Sequence, residues 1–150
     1  MADKLEVDLV AAKSQLQYVN RNDWVLILDK AKYLNFKKND SLIQHGKQPT
    51  MVLAIMSGRA QIRNSFGVTI ARIGPGEICG EMAFLENTYA SASVVAEEAM
   101  VVYGIDWPIL QDLFDLYGHL ASRFCRSLAV NLSLRLRGQI SRIPNEIART

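Results

Sequence analysis

From Tyr33 to Ile105 the apolar residues come in short strand-length runs separated by turn residues, a pattern that suits a small β structure and not a helical bundle. Tyr33-Leu34-Asn35-Phe36 is followed by a Lys-Asn-Asp turn, and Leu42-Ile43 by His45-Gly46. Met51 to Ser57 reads as a buried strand closed by Gly58. Ala60-Gln61-Ile62 alternates, Asn64 to Gly67 makes a hairpin turn, and Val68 to Ile73 returns to the bend Gly74-Pro75-Gly76. Ser91 to Ala96 and Ala99 to Ile105 give two more strands around the acidic turn Glu97-Glu98. Antiparallel strands spaced roughly 8–12 residues apart predict a compact β-barrel or jelly-roll, mainly β with flanking helices.

The two ends of the chain read differently. Leu5, Leu9, Leu16 and Val19 are interspersed with charge at helical spacing, and Asn22 or Asp23 is suited to cap a second helix through Trp24, Leu26 and Ile27. After the strands, Asp106 is an N-cap candidate with Pro108 in the first turn, and Ile109, Leu110, Leu113, Phe114 and Tyr117 form an amphipathic stripe. Gly118 interrupts it. Leu120, Phe124, Leu128, Leu132 and Leu136 then make an i,i+4 ladder, flanked by Ala121, Cys125 and Ala129, with Arg123, Arg126 and Arg135 elsewhere around the helix. The chain thus divides into an N-terminal helical segment (1–32), a β-roll (33–105) and C-terminal helices (106–150). The ladder fits either a lid on the chain's own barrel or a homodimer through the 120–136 helix.

Composition narrows the function classes. A chain of 150 residues with 49% apolar content holds one hydrophobic core. Seventeen basic against 15 acidic residues, a net charge of +2, gives no drive toward nucleic acid or an anionic membrane. The run Met51–Met56 is far too short to span a membrane, and Asp3, Glu6 and Asp8 oppose a signal peptide, so a cytoplasmic protein is expected. Cys79 and Cys125 lack CxxC spacing and read as small buried hydrophobes. His45 and His119 lack the carboxylate or thiol neighbours of a metal site, and no nucleophile–base constellation is evident, so neither a metal nor a catalytic residue is expected. The residues after Ile140 are too few for a DNA-reading domain, which leaves a stand-alone module or the excised regulatory domain of a larger protein.

Residues 80 to 94 carry the most specific signal: Gly-Glu-Met-Ala-Phe-Leu-Glu-Asn-Thr-Tyr-Ala-Ser-Ala-Ser-Val. This stretch resembles the phosphate-binding cassette of the cyclic nucleotide-binding domain family, in which Gly-Glu precedes an apolar helical turn, a loop and Arg-(Ser/Ala/Thr)-Ala-x-Val. Ile43-x-x-Gly46, the strand ending at Ser57-Gly58 and Gly76-Glu77 occur in the family's order, so the resemblance covers roughly residues 25 to 138. It implies a double-stranded β-helix or jelly-roll, the cyclic nucleotide-binding β-roll, with C-terminal helices. It also implies a ligand site at Gly80, Glu81, Met82, Ala83, Ala90, Ser91 and Ala92, where backbone N–H groups face a cyclic phosphate, Glu81 accepts from a ribose hydroxyl and an arginine pairs the phosphate charge. That arginine belongs nine residues after Glu81, where this chain has Ala90, and the next residue is Ser91. A lost charge-assisted hydrogen bond costs about 1.5–3 kcal/mol. The resemblance therefore implies a regulatory or sensory domain whose binding of cAMP or cGMP is weakened or altered. The alternatives are a dimerisation or interaction module that binds no nucleotide and a sensor of a different small ligand. Arg59, Arg63 and Arg72, on the adjoining hairpin, are further candidates for the missing cation, with solvated surface as their default.

Overall fold

The computed structural model describes Val7 and residues 14–141. Helix α1 (Arg21–Lys30) leads into strands β1 (Lys32–Phe36), β2 (Ser41–Ile43), β3 (Met51–Ser57), β4 (Ala60–Arg63), β5 (Thr69–Ile73) and β6 (Ile78–Cys79). A short helix α2 (Glu81–Glu86) precedes β7 (Ser93–Ala96) and β8 (Met100–Asp106), and helices α3 (Trp107–Leu116) and α4 (Gly118–Ile140) follow. The described strands form two antiparallel four-stranded sheets, ordered β1-β8-β3-β6 and β2-β7-β4-β5. This is a mainly β roll of two antiparallel sheets with flanking helices, the architecture that the resemblance implied.

The first sheet is buried on both sides, which explains the unbroken apolar run in β3. Val52 on β3 and Tyr103 and Ile105 on β8 face a layer made by Trp24, Ile27 and Leu28 of α1, Leu110, Leu113 and Phe114 of α3, and Leu120, Phe124 and Leu128 of α4. Their neighbours Leu53, Ile55, Met100 and Val102 turn the other way and close the roll against Ala60, Ile73, Val94 and Ala96 of the second sheet. Gly58 permits the β3–β4 turn: its φ is +85°, and a Cβ there would lie 2.4 Å from the Ala99 carbonyl oxygen.

Several local expectations are corrected. Residues 14–20 form turns and coil instead of helix, although Leu16 and Val19 are buried, while Leu5 and Leu9 lie outside the described residues. The cap of α1 is Asn20, with Asp23 as its reciprocal partner three residues on: the Asp23 N–H donates to Asn20 Oδ1 at 2.9 Å and the Asn20 N–H to Asp23 Oδ2 at 3.0 Å. Asp106 occupies the N-cap of α3 without a side-chain capping bond, because its carboxylate reaches Lys32 Nζ at 3.3 Å. Strand β7 starts at Ser93, two residues later than the pattern suggested, and β5 starts at Thr69. The pair Ile78–Cys79, too short to stand out by alternation, forms β6 beside β3. Cys79 is buried as expected, whereas Cys125 is exposed because it follows Phe124 around α4 onto the solvent side. The leucine ladder is split: Leu120, Phe124 and Leu128 are core, but Leu132 and Leu136 are 46% and 57% exposed. Residues 142–150 of the expected C-terminal helical segment lie outside the described residues.

The N-terminal segment and α4 are tied together by polar contacts. Asp23, buried at the start of α1, accepts two bonds from Arg123 of α4, Nε to Oδ2 at 2.7 Å and Nη2 to Oδ1 at 2.6 Å. Ser127 Oγ accepts from the Tyr18 N–H at 3.0 Å, Asn131 Nδ2 donates to the Gln15 carbonyl at 3.1 Å, and the Arg126 guanidinium lies 4.3 Å from the Tyr18 ring centroid. Asp23→Ala removes the reciprocal half of the capping box, the acceptor of the Asn20 N–H, and the carboxylate that pairs Arg123. It is expected to lower unfolding stability by about 3 kcal/mol, measured by urea denaturation; a loss under about 1 kcal/mol would show that the latch contributes little.

Candidate functional site

The cassette is built around Gly80, whose φ of +85° turns the chain from β6 into α2. A Cβ at this position would meet the Met51 carbonyl oxygen at 3.0 Å and Ile43 Cδ1 at 3.3 Å, so only glycine fits without displacement. Helix α2 is a single short segment, ended by Asn87 in the left-handed conformation. Its inner residue Ala83 is buried, and Phe84 anchors it to the C-terminal helices through edge contacts with Trp107 (5.7 Å) and Phe114 (5.9 Å). Phe114 in turn packs on Phe124 at 5.2 Å. The return loop is held by main-chain pairing alone at position 90: the Ala90 N–H donates to the Lys47 carbonyl and the Gly46 N–H to the Ala90 carbonyl, both at 2.9 Å.

All seven candidate residues, Gly80, Glu81, Met82, Ala83, Ala90, Ser91 and Ala92, line one cavity of about 150 Å³. Ile43, Ile62, Ile73 and Val94 form its apolar floor. A second cavity of about 260 Å³, lined by Leu34, Phe36, Leu42 and Met51 among others, adjoins it through Ile43 and Pro49. Together they reach the lower part of the usual range for small-molecule sites, about 300–1,000 Å³.

The charges at the cavity follow from these positions. Burial raises the Glu81 carboxyl above its ordinary range, opposed by a bond from its own backbone N–H and by the positive charge of Arg135. Burial, then the carboxylates of Glu81 and Glu77, push the Cys79 thiol far up, so it is no nucleophile. The hairpin arginines are directed elsewhere. Arg72 pairs with Glu97 at 2.9 Å and Arg63 donates to Gln61 Oε1, while the alternating residues Ala60, Ile62 and Ile73 face inward. Arg59 belongs to the same outer group, adding to the field that, after the hydrogen bonds from Arg72 and Gln61, lowers the Glu97 carboxyl.

The cation at this cavity is instead Arg135 of α4, a residue that sequence reasoning left on an unassigned face of the helix. It also lines a small cleft, with Glu81, Leu128 and Asn131, between α4 and the roll. The spacing held the clue: Arg135 lies seven residues after buried Leu128 and four after Asn131, on the same helical stripe. The stripe's apolar members drew attention and its charged end did not.

Residues 33–117 match the family model described as "Cyclic nucleotide-binding domain". The chain belongs to the cyclic nucleotide-binding domain family. Among its relatives, Cyclic GMP-binding protein C of Dictyostelium discoideum is 24% identical over 123 residues, 79% of this chain and 5% of that protein. Acetyltransferase Pat of Mycolicibacterium smegmatis is 32% identical over 109 residues, 71% of this chain and 31% of that protein. This cyclic nucleotide-binding domain thus spans a small part of the curated relatives it matches. The catabolite activator protein of Thermus thermophilus shares the fold, with a TM-score of 0.69 and 24% identity over 84% of this chain and 60% of the other. The family and fold are those of a regulatory domain, although some relatives are enzymes that contain such a domain. No described helix is long and apolar enough to cross a membrane, and the described residues hold no cluster of three or more His, Cys, Asp or Glu suited to a metal.

Glu81 gives this cyclic nucleotide-binding domain a pH signature. Its folded-state pKa is raised, so the folded protein holds the proton more tightly than the unfolded chain, and stability falls as pH rises above the ordinary carboxylate range. Glu81→Gln, which cannot ionise, is expected to be the more stable protein at pH 7. Its advantage should vanish below about pH 4, where the glutamate is protonated in both states; urea titrations across that interval would detect the opposite slope.

Proposed function

We propose that this chain is a regulatory, sensory module whose cassette cavity takes a cyclic nucleotide such as cAMP or cGMP, more weakly than a site with an arginine at position 90. The observation that carries this reading is the convergence of Gly80–Ala83 and Ala90–Ala92 on one cavity with a partly buried carboxylate, Glu81, in its wall. Glu81 accepts a ribose hydroxyl, while Ser91 offers a hydroxyl and an N–H to the phosphate. Ligand capture tightens α2, and the contacts Phe84–Phe114 and Phe114–Phe124 carry that movement into α3 and α4. We assign the module no catalytic residue, resident cofactor or metal, no direct nucleic-acid or membrane contact, and a place in the cytoplasm.

Calorimetric titration with cAMP and cGMP tests the reading. Wild type is expected to bind, and Ala90→Arg to bind about 10- to 100-fold more tightly, the equivalent of one restored charge-assisted hydrogen bond. Absence of binding by both proteins would exclude a nucleotide ligand and favour another small molecule, for which the small side chains of Ala90 and Ala92 leave room.

A second reading rests on a different observation. Leu132, Leu134, Leu136 and Ile140 are large apolar residues left 46–61% exposed on the last turns of α4. They fit a homodimer or docking contact through the distal part of the 120–136 helix that needs no nucleotide. Sedimentation equilibrium is expected to show a dimer that Leu136→Glu dissociates; a monomer at all concentrations would remove this reading.

A further inference from the structure

We infer that Arg135, brought to the cavity by α4, pairs the anionic group of the ligand in the place of an arginine at position 90. This assignment rests on the nucleotide reading of the cavity and goes beyond it by naming the cation. Among the described residues, Arg135 lines the cassette cavity together with Glu81 and Ser91, and its guanidinium makes no hydrogen bond or ion pair. The other basic side chains near the roll are less suited. Arg63 and Arg72 are bound to Gln61 and Glu97 on the outer surface, and Lys47 lines the adjoining apolar cavity.

The chemistry is complementary. A phosphate monoester or cyclic phosphate presents planar pairs of acceptor oxygens to the guanidinium fork, and a sugar hydroxyl beside it can donate to Glu81. Glu81 and Arg135 both line the cavity without an ion pair between them, which leaves the guanidinium fork free for an anion. Position has a further effect. A cation carried by the wall binds ligand without involving the helix, whereas a cation carried by α4 makes every bound anion a tether between α4 and the roll. Ligand binding and the position of the distal α4 turns then become one equilibrium.

The test is a set of cAMP and cGMP titrations on the full chain, using wild type, Arg135→Ala, Arg135→Gln, the outer-surface control Arg72→Gln, Ala90→Arg and the double variant Ala90→Arg/Arg135→Ala. Hydrogen exchange of residues 130–141 is followed with and without ligand. Arg135 is exposed and makes no hydrogen bond among the described residues, so both of its single variants should fold normally, which thermal melting checks. The expected result is a 10- to 100-fold loss of affinity in both Arg135 variants, none in Arg72→Gln on the outer surface, and little effect of removing Arg135 once position 90 is arginine. Ligand should slow exchange near Arg135 in wild type and much less in the double variant. Wild-type binding that survives the loss of Arg135 would overturn this assignment and leave the nucleotide reading standing. No binding by wild type, with binding by Ala90→Arg regardless of Arg135, would overturn both.

Discussion

The Asp23–Arg123 pair is the contact on which the arrangement of this molecule turns. Asp23 is fixed by the capping box that begins α1, and α1 is fixed by Trp24, Ile27 and Leu28 against the first sheet. The two short bonds to Arg123 therefore set where α4 crosses the roll and at what rotation about its axis. One helical turn later Ser127 caps the Tyr18 N–H, and the next turn places Asn131 on the Gln15 carbonyl. Arg135 comes next on this stripe. The charge at the cassette cavity is thus placed by a chain of polar contacts that begins at Asp23, far from the cassette in sequence.

The division of labour between the two sheets follows from burial. The β1-β8-β3-β6 sheet has hydrophobic contacts on both faces and serves as the rigid partition between the helical layer and the roll. The β2-β7-β4-β5 sheet is polar on its outer side, where Gln61, Arg63, Thr69, Arg72 and Glu97 bond to one another, and it lends its inner side to the cavity. Helix α2 stands between these systems. Its Ala83 faces the cavity and its Phe84 the helices, so one turn of helix touches the cavity and the aromatic stack together.

Much of this was legible in the chain because its local signals agree with its tertiary structure. Gly58, Gly74 and Gly80 directly follow the last residues of β3, β5 and β6, and Gly80, Glu81, Ser91, Ala92 and Val94 line one cavity. What was not legible depended on contacts between distant segments. Leu16 and Val19 are apolar at helical spacing, yet each is buried by tertiary contacts on a segment without a helix, so periodicity misread them. Asn20 rather than Asn22 or Asp23 caps α1 because the capping box needs Asp23 three residues inside the helix. Strand β6 is two residues long and owes its existence to pairing with β3. Arg135 could be linked to the cavity only once the crossing of α4 was known.

The main-chain pairing at position 90 has a consequence for how such a domain changes over time. The fold uses the N–H and carbonyl of Ala90, bonded to Lys47 and Gly46, and asks only that the side chain not collide with its neighbours. The side chain itself lies buried among the apolar residues of the roll, so a larger residue here is accommodated only where the cavity gives it room. An exchange at this one residue changes the lining of the cavity while the two main-chain bonds stay available, so one architecture can present different chemistry there.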